Sequence, residues 1–194
     1  MKHPTNRALF EHWNDRRGER LAPERAEIDP SAIRSILGDT FVLEIGRDGA
    51  IFRLAGTRLC ALFARELKGD NFLKLWQRSG QDAVRELIAV VTEEKVGVVA
   101  SVTGSTSDDM LLPVGLEMML LPFAFDTPSE ARMIGALAPM SIPYWLGAKA
   151  IGPLSLGMFR HLSAALEASP APRFRSAAGR LPHGLVVYEG GRTT

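Results

Sequence analysis

The side chains here that could take part in chemistry are few and far apart. His3, His12, His161 and His183 form no i, i+4 pair and no His-Glu-x-x-His run, so no metal ligand set is expected. Cys60 is the one cysteine, which excludes a disulfide within the chain; in Arg58-Leu59-Cys60-Ala61-Leu62 it reads as a small packed residue. Asp108-Asp109 is a carboxylate pair in composition, but at a turn between strands it lacks the cleft that general acid–base work needs. Glu44 and Arg53 lie on adjacent strand-like runs beside Gly56-Thr57, where a ligand, or an anion at a helix start, could be held. There is no Gly-rich phosphate loop, and Thr57 fits equally well as a helix cap whose hydroxyl accepts a backbone N–H. Arg173, Arg175 and Arg180 make a basic tail with one aromatic, Phe174, too little to stack a run of bases. No catalytic residue is expected.

The elements that must position these groups start with an Asp48-Gly49 turn between two apolar alternations, Phe41–Ile45 and Ile51–Ala55, the strongest local hairpin signal. With Asp48-Gly49 as the loop, Arg47 pairs with Ala50, Ile45 with Phe52, Glu44 with Arg53 and Leu43 with Leu54. Phe41, Leu43, Ile45, Phe52 and Leu54 then face the core. Val42, Glu44, Ile51, Arg53 and Ala55 face outward, with Glu44 and Arg53 as a weak cross-strand ion pair. That outer face is too apolar to be wholly wet. A helix over Asn6–Arg17, with Leu9, Phe10 and Trp13 as a narrow apolar stripe, is expected to cover part of it, in this chain or a partner's. Leu9, Phe10, Trp13, Val42 and Ile51 are therefore the candidate interface.

Asp29-Pro30 and Gly38 bracket a short helix. Short helical pieces follow from Thr57 to Trp76, and Gln81–Thr92 is a core helix carrying Ala83, Val84, Leu87, Ile88 and Val91. Val96–Thr106, Leu111–Phe125 and Arg132–Met140 read as antiparallel strands, with Glu117 marking the outward parity of the second and Leu116, Met118 and Leu120 inward. Pro122 marks a strand end, an edge or a bulge. Leu154, Met158, Phe159, Leu162 and Leu166 predict one more amphipathic helix before a Pro- and Arg-rich linker, and Leu185–Tyr188 a terminal strand or anchoring tail. Leu43, Phe52, Leu54, Phe72, Trp76, Leu87 and Met118 are the candidate lining of a cavity between sheet and helices; a filled core is the plainer alternative.

Composition narrows the class. The 194 residues carry a net charge of +1, which argues against wholesale attraction to nucleic acid or anionic lipid. No apolar run approaches the roughly 20 residues of a membrane span, and no secretory leader is visible, so a cytoplasmic protein is expected.

The succession Leu21–Arg25 with Ile28-Asp29-Pro30, Phe52–Thr57, Phe63–Gly69, Leu75-Trp76, Glu117–Pro122 and Gly184–Gly191 resembles a PAS-like family of alphaproteobacterial proteins of unknown function. The resemblance covers nearly the whole chain. It implies an α+β fold: a PAS-like five-stranded antiparallel sheet with short helices on one face, an N-terminal amphipathic helix and a C-terminal helical or irregular extension. The corresponding divisions are 1–29, 30–142 and 143–194. It also implies a sensory or regulatory role through protein–protein interaction, with a second copy of the chain or a signalling protein as partner, and a small apolar ligand. An enzyme or carrier acting on a hydrophobic small molecule in the same cavity is the alternative. No cofactor is expected: haem-holding PAS domains commonly place a histidine on or near the longer helix, and Gln81–Thr92 has none. Cys60 does not match the Asn-Cys-Arg setting of flavin-binding members. The family usually carries glycine before its Arg-Glu-Leu element, where this chain has Ala64.

Overall fold

Runs in which apolar residues alternate pair into one six-stranded antiparallel sheet in the computed structural model, which describes residues 1–46, 49–105, 113–127 and 131–162. The strands are β1 (Thr40–Gly46), β2 (Gly49–Ala55), β3 (Gly97–Gly104), β4 (Val114–Pro122), β5 (Arg132–Pro139) and β6 (Ser155–Leu162), in spatial order β2-β1-β5-β4-β3-β6. Helices α1 (Pro4–Arg17), α2 (Thr57–Leu62) and α3 (Gln81–Glu93) accompany short 3-10 helices at Arg25–Glu27, Leu37–Asp39, Phe72–Leu75 and Arg78–Gly80. No helix among the described residues is long and apolar enough to cross a membrane.

The central strands of the sheet are buried on both faces. Leu43, Phe52, Val98, Val102, Leu116, Met118 and Leu120 point to the side packed by α2, α3 and the 3-10 turns. On α3 the burial falls on Val84, Leu87, Ile88 and Val91, and Ala83 stays exposed. Met119, Leu121, Val99, Ile134 and Ala136 point the other way, against Leu9, Phe10 and Trp13 of α1.

Five strands stand where the alternation places them, and the sixth replaces a helix. Leu154, Met158 and Leu162 are spaced by four, which suits a helix, but an even spacing also suits a strand. The outer edge of β3 offers a row of unpaired backbone groups, and residues 155–162 take it. A bulge opposite Ser101 flips the parity of β6, so Leu156 faces the core under α3 while Leu162 joins the cluster under α1.

The hairpin register also differs. Gly46 pairs with Gly49, Ile45 with Ala50, Glu44 with Ile51 and Leu43 with Phe52, in place of the expected Ile45–Phe52, Glu44–Arg53 and Leu43–Leu54 pairs. Beyond Phe52 a register shift pairs Val42 with Leu54. This extra residue turns Leu54 to the outer face, where it is 47% exposed, and corrects its expected place in the core. The expected helix from Pro30 to Gly38 is a series of turns ending in the 3-10 helix at Leu37–Asp39. Asp29 accepts hydrogen bonds from the backbone N–H (2.9 Å) and hydroxyl (2.8 Å) of Ser31, closing a local turn in place of a helical cap.

Residues 47–48, with the Asp48 of the expected turn, lie outside the described residues. So do Asp108-Asp109, Leu111, Leu166, Arg173, Phe174, Arg175, Arg180, His183 and the stretch from Gly184 to Gly191.

Candidate functional site

On the α3 side of the sheet, an aromatic cluster grows out of strand parity. Phe41 on β1 and Phe52 on β2 meet edge to face, with ring centroids 5.7 Å apart. Phe72 packs on both, at 5.5 and 5.6 Å, and Trp76 continues the chain of rings at 5.6 Å from Phe72. The turn that delivers Phe72 is capped by Asn71, whose side chain accepts the Leu73 N–H at 3.0 Å. Trp76 is held from both sides. Its carbonyl accepts from the Gln81 side chain at 3.2 Å, and the flanking backbone pairs with Leu154 through Leu154 N–H to Leu75 (2.8 Å) and Gln77 N–H to Leu154 (2.9 Å).

Of the seven expected lining residues, Leu43, Phe52, Phe72, Trp76, Leu87 and Met118 belong to this interior cluster, and Leu54 does not. Within it the Trp76 Nε1–H is buried and donates to nothing among the described residues. An unpaired indole N–H in an apolar interior is costly, and such a donor suits a ligand acceptor. The buried polar side chains among the described residues, Thr5, Asn6, Asp39, Thr40 and Glu117, lie at α1 or around the start of β1 and on the outward parity of β4. Cys60 stays protonated: burial pushes its thiol up, outweighing a backbone hydrogen bond, and the Glu66 carboxylate 3.7 Å away pushes the same way. Among the described residues no three His, Cys, Asp or Glu side chains gather as a metal ion would require.

The outer face carries a different set of groups. Glu44 accepts from Arg53 Nε at 2.8 Å, through a second bond from Arg53 Nη2, and from Arg132 Nη2 at 3.2 Å. The Arg53 hydrogen bonds hold the Glu44 carboxyl below its ordinary value. Arg53 reaches Glu44 diagonally, because Ile51 is the direct neighbour. Val42 packs partly buried against the cluster under α1, while Ile51 bridges to Asn71. Leu9, Phe10 and Trp13 are buried against β4 and β5 of their own chain, and the Trp13 indole donates to the Pro122 carbonyl at 2.8 Å. Thr57 does not cap α2; Gly56 is the cap, because a Cβ there would overlap the carbonyls of Leu37 and Gly38.

Two features escaped the reading of residue types. Glu117 has the outward parity expected, yet it is buried beneath the start of α1, where its carboxylate accepts from Lys2 N–H (2.8 Å), His3 N–H (2.8 Å) and Asn6 Nδ2 (3.0 Å). Burial by itself raises this carboxyl, and the hydrogen bonds from Lys2, His3 and Asn6 outweigh it, leaving a net lowering. The second is a groove on the outer face, between the connector of residues 25–38 and β1, β2 and β5. No sequence signal marks it, because its floor exists only once the register shift has turned Leu54 outward.

A family model described as PAS domain matches residues 1–138. No curated protein matches the chain.

Proposed function

The chain belongs to the PAS domain family, and from that premise we propose that it is a sensory and regulatory domain that acts by binding a protein partner, a second copy of itself in the first instance. A small, largely apolar molecule in the interior is the input, and a cytoplasmic location goes with this reading. The observation that carries the ligand part is the unpaired Trp76 Nε1–H inside the cluster of Phe52, Phe72 and Met118. A molecule with an apolar body and one acceptor would satisfy it.

The partner part is supported by β6. Among the described residues it is an edge strand, with one side of its backbone unpaired in the sheet, and it exposes Met158 (88%) and Phe159 (49%). Open edges with apolar side chains are templates for strand pairing.

Native mass spectrometry of gently purified protein tests the ligand. A retained small molecule that is lost in Trp76→Phe is the expected result, and a bare mass from wild-type protein under the mildest conditions counts against it. Size exclusion with light scattering tests the partner. Wild type is expected to run as a dimer at tens of micromolar and Met158→Lys as a folded monomer. A wild-type monomer throughout would remove self-association from the proposal.

A further inference from the structure

We propose that the outer face of the sheet holds a second binding site, for a free single-chain amphipathic carboxylate whose acyl chain lies in the groove under the connector and whose carboxylate meets Arg25. The groove is open along one side and offers about 550 Å³, within the range of small-molecule sites. Val42, Leu54 and Ile134 make its floor, one residue from each of three neighbouring strands, and Ile28, Ile33 and Leu37 make its wall. Nearly half of the Leu54 surface is open to this space.

The charge sits at one end. Arg25 and Phe123 line both this groove and an adjoining polar hollow, which Lys95 and Arg132 also line. The Arg25 guanidinium has no ion pair or hydrogen bond among the described residues. Arg132 gives Nη2 to Glu44, but its Nε is buried and has no acceptor among the described residues. Glu24 and Asp126 line the hollow as well, and with Arg132 already giving Nη2 to Glu44, Arg25 is the arginine at this end whose guanidinium is left for an anionic guest. Arginine takes a carboxylate through two parallel hydrogen bonds, which places the head group at Arg25 and the chain along the leucine and isoleucine floor.

An acyl chain fits better than a peptide. The hydroxyl of Thr40 is already given to the Leu37 carbonyl at 3.0 Å, and apart from Arg25 at one end and the Thr57 hydroxyl the side chains that line the groove are apolar. A peptide backbone laid there would leave its N–H and C=O groups unpaired, and an acyl chain has none to lose.

Calorimetric titration of the full chain with octanoate, decanoate, dodecanoate and decanol tests the site. Affinity is expected to rise about fourfold per methylene along the carboxylate series. Arg25→Gln is expected to weaken decanoate at least tenfold and leave decanol unchanged. Leu54→Asp, at a half-exposed position, is expected to weaken both, and Trp76→Phe to weaken neither. Absence of saturable binding, or binding indifferent to Arg25→Gln and Leu54→Asp, would overturn the proposal. Decanoate lost in Trp76→Phe alone would also overturn it, while favouring the interior site. Two further arms separate other occupants. Pelleting with phosphatidylcholine–phosphatidylglycerol vesicles that requires Arg25 and is not displaced by decanoate would assign the groove to a membrane surface. A dimer that Leu54→Asp dissociates, with no decanoate bound, would assign it to a second copy.

Discussion

Ala64 has φ of 51°, a left-handed backbone that an L side chain enters at a cost of roughly 1–2 kcal/mol. The resemblance placed glycine at this position, and the conformation is kept although the glycine is not. Ala64→Gly is therefore expected to stabilise the domain by about 1 kcal/mol, less what glycine adds in unfolded-chain freedom, as read from urea midpoints. Gly56 is the opposite case: its φ of −70° suits any residue, and space is what forbids a side chain. Gly56→Ala must push apart α2 and the turn at Leu37-Gly38, and a loss of about 1–3 kcal/mol is expected in the same assay. Glu117 adds a pH dependence. Its folded carboxyl lies below the ordinary value of 4.5, so its contribution is complete above that pH and is lost as acidification reaches the folded value. Glu117→Gln is expected to cost about 1.5–3 kcal/mol at neutral pH, with the gap to wild type closing as pH falls below 4.5. A gap that persists in acid would mean that the carboxylate charge is not what holds α1.

Among the elements, those fixed by local pattern were legible and those fixed by neighbours were not. α1, α3 and β1 to β5 follow from periodicity, down to the inward parity of Met118 and the outward parity of Glu117. Leu54 was misplaced because a register shift beyond Phe52 adds one residue that no glycine or proline announces. β6 was misread because Leu154, Met158 and Leu162 satisfy two periods, and the free edge of β3 decides between them. The same limit applies to the site: six of seven expected lining residues meet in one cluster, while the outer groove depends on how the connector folds over the sheet. The attachment of that connector to α1 is itself testable. Asp29 N–H donates to His12 Nε2 at 3.3 Å, which requires a neutral ring. Burial, helped by Arg16, lowers the His12 pKa from 6.5, so this contact contributes fully above that pH and weakens as pH falls toward the folded value. Exchange of the Asp29 amide, corrected for intrinsic rate, is expected to be faster at pH 5.5 than at pH 7.5, and His12→Ala should remove the difference.

For the described domain as a whole, the controlling fact is a sheet with two apolar faces. β4 shows it best, buried from Leu116 to Pro122 without a break, because Leu116, Met118 and Leu120 serve the interior and Met119 and Leu121 serve α1. Helix α1 therefore behaves as a lid made of sequence, pinned at its start by Glu117 and near its end by the Trp13 indole on Pro122. A partner-facing role for Leu9, Phe10 and Trp13 would require that lid to lift and to uncover Val99, Met119, Leu121 and Ile134 together. Removal of residues 1–17 is accordingly expected to leave the aromatic interior closed but the opposite face open. The shortened protein should bind an apolar dye and associate at concentrations where the full chain does not, with near-ultraviolet circular dichroism from the Phe41–Phe52–Phe72–Trp76 cluster retained. Loss of that aromatic signal would show that the two faces fold as one unit, and that α1 supports the ligand cluster through the sheet.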